Sequence, residues 1–248
     1  MTDRFGSVVL CYHAVSDEWD HLLSVRRQAF ERQLRLMLAR RYRPASASDV
    51  VAGRGRLLHI TFDDAFRSVW NAVPVLDRLA VPATVFACTD YADGGRTFAV
   101  AELAVEASAH PEELATMDWE ELRALAERGV EIGSHTLTHP HLPSLSDGEL
   151  LRELRESREL IEAELNRPCR YLAYPYGEHD ERVRAATRAA GYEAAFALRS
   201  GADTRDLYAL PRVDIYRKDR LVRAMLKTSF VMPLGSRVAK LLSREDEP

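Results

Sequence analysis

Two aspartates stand side by side at Asp63-Asp64, and two histidines are four residues apart in Ser134-His135-Thr136-Leu137-Thr138-His139. His13 closes an apolar run near the N-terminus, Tyr174-Pro175-Tyr176-Gly177 closes another, and Arg212 and Asp214 lie in a late one. Neutral imidazoles and a carboxylate are the ligands a borderline divalent metal prefers, and three protein ligands leave a position open for water. A second carboxylate beside such a metal is placed to deprotonate that water. Each feature alone has a plainer reading. Adjacent acids at a strand end often cap a helix, and a His-x-x-x-His pair arises by chance on a surface. Tyr-Pro-Tyr-Gly is ordinary turn chemistry, and a lone histidine is often a satisfied core residue. Their shared position relative to the surrounding elements is what favours chemistry.

Those elements alternate along the chain. Apolar runs predict strands at 8–13, 57–62, 83–88, 130–133, 171–174, 192–198 and 209–216. Apolar residues at three- and four-residue spacing predict helices at 30–41, 69–79, 119–128 and 181–190. Ser146 and Glu149 form a capping box that opens a long charged helix to about residue 166, where Pro168 bars continuation. Gly129 and Gly191 stand where helices should stop. The rhythm implies βα units closing a mostly parallel sheet, open or barrel-like, in which functional groups gather beyond the carboxyl ends of the strands. His13, Asp63-Asp64, 134–139, 175–177 and the Arg212/Asp214 strand all fall at that rim. Residues 90–116 read as a loop or small insertion.

Composition narrows the class. The 248 residues are 46% apolar and 29% charged, as in an ordinary soluble domain, with a net charge of −4 that offers nucleic acid no positive field. No apolar run reaches the ~20 residues that span a bilayer. The three cysteines are scattered and form no Cys-x-x-Cys pair, which predicts buried thiols in a reducing compartment, and the N-terminal run is too short for a secretory signal. The expectation is a cytoplasmic protein. Residues 217–248 begin basic and amphipathic, and are expected to form a helical extension packed on a domain of residues 1–216. The competing reading is peripheral membrane contact through 217–244.

Together these motifs resemble the NodB-like polysaccharide deacetylases, carbohydrate esterase family 4. Thr61-Phe62-Asp63-Asp64 is similar to the first family motif, residues 134–139 to the second, and Tyr174-Pro175-Tyr176-Gly177 to the third. Cys11-Tyr12-His13-Ala14-Val15 and Val81-Pro82-Ala83-Thr84-Val85-Phe86 fit as well, so the resemblance spans about residues 8–216. It implies an α/β fold, a distorted (β/α) barrel in one domain, and a hydrolase that removes acetyl groups from N-acetylated sugars. By position it implies Asp64, His135 and His139 as metal ligands, with Zn²⁺ first and Co²⁺ or Ni²⁺ as alternatives. Asp63 would be the base, and the backbone N–H of Tyr176 would support the oxyanion together with the metal. No histidine follows His179, so the acid resembles that of the poly-N-acetylglucosamine deacetylase branch, which uses an N-terminal histidine; His13 matches it. A bell-shaped pH–rate profile would follow from an ionised Asp63 and a protonated His13.

Departures from the pattern set further expectations. Ala65 stands where the family usually has glycine, and would either be strained at positive φ or narrow the pocket floor. Ala173 stands where an arginine often pairs with the base, and Arg212 is expected to replace it from another strand. A chain typical of the N-terminal-histidine branch is exported, whereas a cytoplasmic member would meet nucleotide-linked, lipid-linked or small-glycoside amino sugars. Among neighbours, His141 is a candidate extra ligand, His179 is expected to be exposed, Trp19 is the aromatic candidate for the cleft, and Cys11 is read as packing. The alternative functions are a sugar-binding module that has lost catalysis, and a hydrolase of another non-peptide C–N bond.

Overall fold

The computed structural model describes residues 6–53, 55–198, 202–203 and 205–219. Most of the expected basic extension, from residue 220 onward, therefore lies outside the described residues. The strands are β1 (Val8–Tyr12), β2 (Ala14–Val15), β3 (Ser24–Val25), β4 (Arg43–Pro44), β5 (Leu57–Phe62), β6 (Ala83–Ala87), β7 (Glu131–Ser134), β8 (Tyr171–Ala173), β9 (Ala194–Leu198) and β10 (Leu210–Asp214). The helices are α1 (Arg27–Ala39), α2 (Ala47–Ala52), α3 (Val73–Leu79), α4 (Thr89–Ala92), α5 (Ala104–Ala109), α6 (Trp119–Glu127), α7 (Asp147–Leu165) and α8 (Glu181–Ala189).

Seven of the strands close a parallel ring in the order β1-β5-β6-β7-β8-β9-β10, because β1 pairs with both β5 and β10. The β1–β5 register runs from Val8 opposite Leu58 to Tyr12 opposite Phe62. This is the (β/α) barrel that the family resemblance implies, and it decides between the open and closed sheets that the alternation of elements allowed. The strands read as nearly continuous apolar runs because helices cover one face and the barrel interior takes the other. Leu10, Tyr12, Leu58, Ile60, Phe62, Val85 and Leu172 pack outward against the helices. Val9, Leu57, Phe86, Tyr171, Phe196 and Leu210 pack together in the interior. A period of two therefore sends Val9-Cys11-His13, His59-Thr61-Asp63, Gly133-His135 and Leu210-Arg212 along the inner wall toward one rim.

The helices end where chain chemistry dictates. Ser46/Asp49, Asp118/Glu121 and Ser146/Glu149 all form reciprocal capping boxes. Asn166 closes α7 in the left-handed conformation at φ 50°, and Gly129 and Gly191 take φ of 88° and 91°. The helix expected at 69–79 is split: a 3₁₀ turn over Arg67–Asn71 precedes α3, whose first turn holds Pro74. Residues 90–116 form a small insertion, the second of the two expectations. They hold α5, fold back on themselves through a bridge between Thr97 and Ala115, and are joined to the loop after β5 by a bridge between Thr116 and Phe66. No helix among the described residues is long and apolar enough to cross a membrane.

One interior position tolerates no side chain. A Cβ on Gly133 would lie 2.6 Å from the Phe86 ring and 2.9 Å from the Tyr171 carbonyl oxygen, one layer below His135. Gly133→Ala is expected to lower stability by about 1–3 kcal/mol through overpacking. Urea denaturation measures it, and a midpoint equal to that of the parent would show that the layer gives way freely.

Candidate active site

Asp63 and Arg212 meet at the inner rim although 149 positions separate them. The guanidinium grips both carboxylate oxygens, Nη1 donating to Oδ1 at 2.5 Å and Nη2 to Oδ2 at 2.8 Å, and Nη1 also reaches Thr61 Oγ1 at 3.2 Å. Arg212 is fully buried, with its guanidinium over the Phe86 ring. The Cys11 thiol donates to Asp63 Oδ2 at 3.4 Å, so this cysteine is a partner of the carboxylate as well as packing. Burial alone would raise the Asp63 pKa. Arg212 outweighs it, aided by His135 and His13, and holds the carboxyl well below the usual range.

Asp64 would face away from Asp63 in a continued strand. Its φ of 65° ends β5 and turns its side chain into the same cavity. Asp64 Oδ1 lies 3.6 Å from His135 Nε2 and 3.6 Å from His139 Nε2, and the three buried ligand atoms fall within 4.8 Å of one another. That oxygen is buried without a hydrogen-bond partner. Burial and the Asp63 charge push the Asp64 carboxyl well above the usual carboxylate range. His135 donates Nδ1–H to the Ala173 carbonyl at 2.8 Å, which fixes its tautomer and leaves Nε2 as an acceptor facing Asp64. His139 is held by rings instead, with Phe98 at 5.2 Å and Tyr176 at 4.5 Å between centroids. Burial keeps both imidazoles neutral, pushing His139 down to about 2. An orphaned carboxylate oxygen and two neutral imidazole nitrogens fit a borderline divalent cation.

The remaining candidates gather round this cluster. His13 lies within 4.8 Å of both Cys11 and Asp63, with a buried and unpartnered Nδ1. Burial lowers its pKa to about 4, Asp63 opposing and Arg212 and His135 reinforcing the shift. Tyr176 takes φ 57°, and its hydroxyl donates to Glu102 Oε2 at 2.9 Å. His141 is not a ligand: it is half-exposed, stacked on Tyr176 at 4.1 Å, with Nδ1 2.8 Å from Glu178. Trp19 is not a cleft aromatic either. It is 1% exposed, stacks on His21 and donates its indole N–H to Glu106. His179 is half-buried rather than exposed, accepting from Arg184 at 3.2 Å. Ala65 sits at φ 53° with its methyl in the outer hydrophobic core, so it is the strained alternative and does not narrow the pocket floor.

Sequence reasoning missed Phe98 and Glu102, which come from the segment read as a loop, and Glu153 of α7, which looks like one more surface charge.

Comparison with known proteins follows the same lines. YxkH of Bacillus subtilis (strain 168) is 25% identical over 217 residues, covering 84% of this chain and 70% of that protein. The structure of the Streptococcus pyogenes deacetylase PplD, solved with acetate, has a TM-score of 0.74 at 20% identity, covering 90% of this chain and 97% of PplD. IcaB from Ammonifex degensii gives 0.73 at 22% identity, with the same coverage of 90% and 97%. At these identities the two structures establish the shared barrel. The polysaccharide deacetylase profile matches residues 51–195, more than half of the chain and three of the strand ends described above. By that match the chain belongs to the polysaccharide deacetylase family, hydrolases that remove acetyl groups from polysaccharides.

Proposed function

We propose that this protein is a metal-dependent N-deacetylase that releases acetate from an N-acetylated amino sugar. The observation that carries the reading is the convergence of Asp64, His135 and His139 beside an Asp63 that Arg212 keeps ionised. A divalent cation held by those three residues, Zn²⁺ first by donor type, supplies Lewis acidity to water and to the acetamide carbonyl. Asp63 is the base. Its Oδ2 lies 3.8 Å from His135 Nε2, so this oxygen faces the ligand cluster and receives the proton of the attacking water. The backbone N–H of Tyr176 donates to the carbonyl oxygen as negative charge develops there. Glu102 and His141 hold the Tyr176 ring, which steadies that backbone.

In this reading His13 acts as a relay. An imidazole with a pKa of about 4 is neutral at pH 7, so it does not enter the reaction as an acid. It accepts the proton that Asp63 has taken and passes it to the leaving nitrogen as the C–N bond breaks; the acyl group leaves as acetic acid, whose proton goes on to the amine to give acetate and the ammonium form. The sugar-binding-module alternative rested on Ala65 and Ala173. Arg212 meets Asp63 from β10, which removes the objection raised by Ala173.

Three measurements test the reading. Protein purified without chelator should carry about one divalent ion per chain by elemental analysis, the ion being lost in His135→Ala. Failure of the parent to bind Zn²⁺ or Co²⁺ even after incubation would overturn the metal-dependent mechanism. The second measurement is the pH profile. With His13 neutral and Asp63 ionised above it, kcat/KM should be flat through neutral pH and fall as pH drops through about 4. His13→Gln should remove that limb and lower the plateau about 100-fold or more; a limb unchanged in the variant, at equal metal content, contradicts the relay. Finally, Arg212→Lys keeps the charge but loses the two-pronged grip on Asp63, and should slow deacetylation about tenfold or more with the metal retained. Turnover equal to the parent would leave Arg212 no part in holding the base.

A further inference from the structure

We infer that Glu153, on the outer helix α7, is a positioning residue for the loop that carries both histidine ligands. The inference rests on the reading of His135 and His139 as ligands. That loop is irregular: Thr136 has φ 72° and His139 φ 64°, left-handed conformations that non-glycine residues keep only when surroundings hold them. Following its backbone groups shows what does. The His135 N–H donates to the Ala87 carbonyl at 2.8 Å, the Thr136 N–H to Ser134 Oγ at 3.0 Å, and the His139 N–H to Thr136 Oγ1 at 3.1 Å. The Thr136 and Leu137 carbonyls accept from the Thr89 and Asp90 N–H groups at the start of α4, at 3.1 and 3.0 Å.

Two N–H groups are left over, those of Leu137 and Thr138, and both donate to Glu153 Oε2 at 3.0 Å. The Thr138 hydroxyl donates to Oε1 of the same carboxylate at 2.8 Å. Glu153 is 8% exposed and shares the buried stripe of α7 with Leu150, Leu154, Ser157 and Ile161. No Lys or Arg forms an ion pair with it among the described residues, so three donors of one loop satisfy its charge. Burying a carboxylate without a cation is unfavourable unless its oxygens are fully hydrogen-bonded. Here every one of those bonds ends between the two ligands. Without Glu153 the segment would lose its three hydrogen bonds to α7 at Leu137 and Thr138, and the spacing of the His135 and His139 rings would no longer be enforced.

The test is Zn²⁺ affinity by competition with a chromogenic chelator, read beside Tm for each full-length variant. Glu153→Ala should weaken Zn²⁺ binding about 10–100-fold, the usual scale for losing a partner that orients metal ligands. Glu153→Gln should restore affinity, because one amide oxygen can take both N–H groups while the amide nitrogen donates to the Thr138 hydroxyl. Ile161→Ala, buried on the same helix away from the loop, should lower Tm yet leave the affinity of the folded protein alone. Thr138→Val removes one of the three bonds at an exposed position, and should weaken binding even if Glu153→Ala does not fold. Parent-like affinity in folded Glu153→Ala or in Thr138→Val overturns the inference. So does an equal loss in Ile161→Ala, which would mean general stability and not positioning. A parent protein that binds no Zn²⁺ would instead overturn the metal site itself.

Discussion

The Asp63–Arg212 pair is the interaction on which the rest of the site depends. In the ring of strands β1 lies between β5 and β10, so the pair reaches over β1 and ties its two neighbours together at the inner rim. Cys11 of β1 donates to the same carboxylate, so all three strands converge on one group. Two buried charges bring a large desolvation cost, and such a pair adds little net stability compared with apolar packing; removing one partner, however, costs about 3–5 kcal/mol. The pair is therefore better explained by what it does to Asp63 than by what it adds to the fold. It keeps a carboxylate ionised in a buried place and fixes its plane, leaving Oδ2 turned to the ligand cluster.

Asp64 shows the opposite outcome for a neighbouring carboxylate. It has no guanidinium in contact, so burial and the Asp63 charge both favour its neutral form. A cation at the orphaned oxygen would favour the ionised form there. The backbone enforces this division of labour. Asp64, Ala65, Thr136, His139 and Tyr176 all take positive φ at the carboxyl ends of the strands, and none is glycine. Each costs strain, and three of them are tied by specific contacts: Ala65 through its carbonyl to the Met117 N–H, His139 through Thr136, Tyr176 through Glu102. Strain concentrated at one rim is what lets adjacent residues on strand ends point into a common cavity.

The barrel was legible because its strands obey one simple rule. Buried on both faces, they read as apolar runs, and a period of two assigns Cys11, His13, Thr61, Asp63, His135 and Arg212 to the inside without any tertiary knowledge. The capping box of α7 and the glycines after α6 and α8 marked boundaries by local chemistry alone. What could not be read depends on contacts between distant residues. Trp19 has the composition of a cleft aromatic, but a glutamate 87 positions away takes its indole N–H and the segment closes over it. His141 has the spacing of a ligand, yet its ring stacks on Tyr176 and pairs with Glu178. Glu153 sits among Asp147, Glu149, Arg152, Arg155 and Glu156, and nothing in that run of charges distinguishes the one that faces inward.

The excursion over residues 97–116 has the same character, and it bears directly on the chemistry. It leaves the barrel after β6 but reaches loops on both sides of that strand. Phe98 packs on His139, Glu102 takes the Tyr176 hydroxyl, Glu106 the Trp19 indole and Glu113 the Ser16 hydroxyl. The loop after β1, which follows His13, is thus fastened to the same segment as the His139 loop and the Tyr176 turn. A (β/α) barrel fixes the strand ends but leaves each loop free to move on its own. One segment bound to several of them couples their positions, so that the His13 side of the site and its Tyr176 side are tied to a common support. That coupling requires carboxylates with long reach on a short helical excursion, which is why a stretch without strand or long-helix periodicity carries as much of the site's geometry as the motifs themselves.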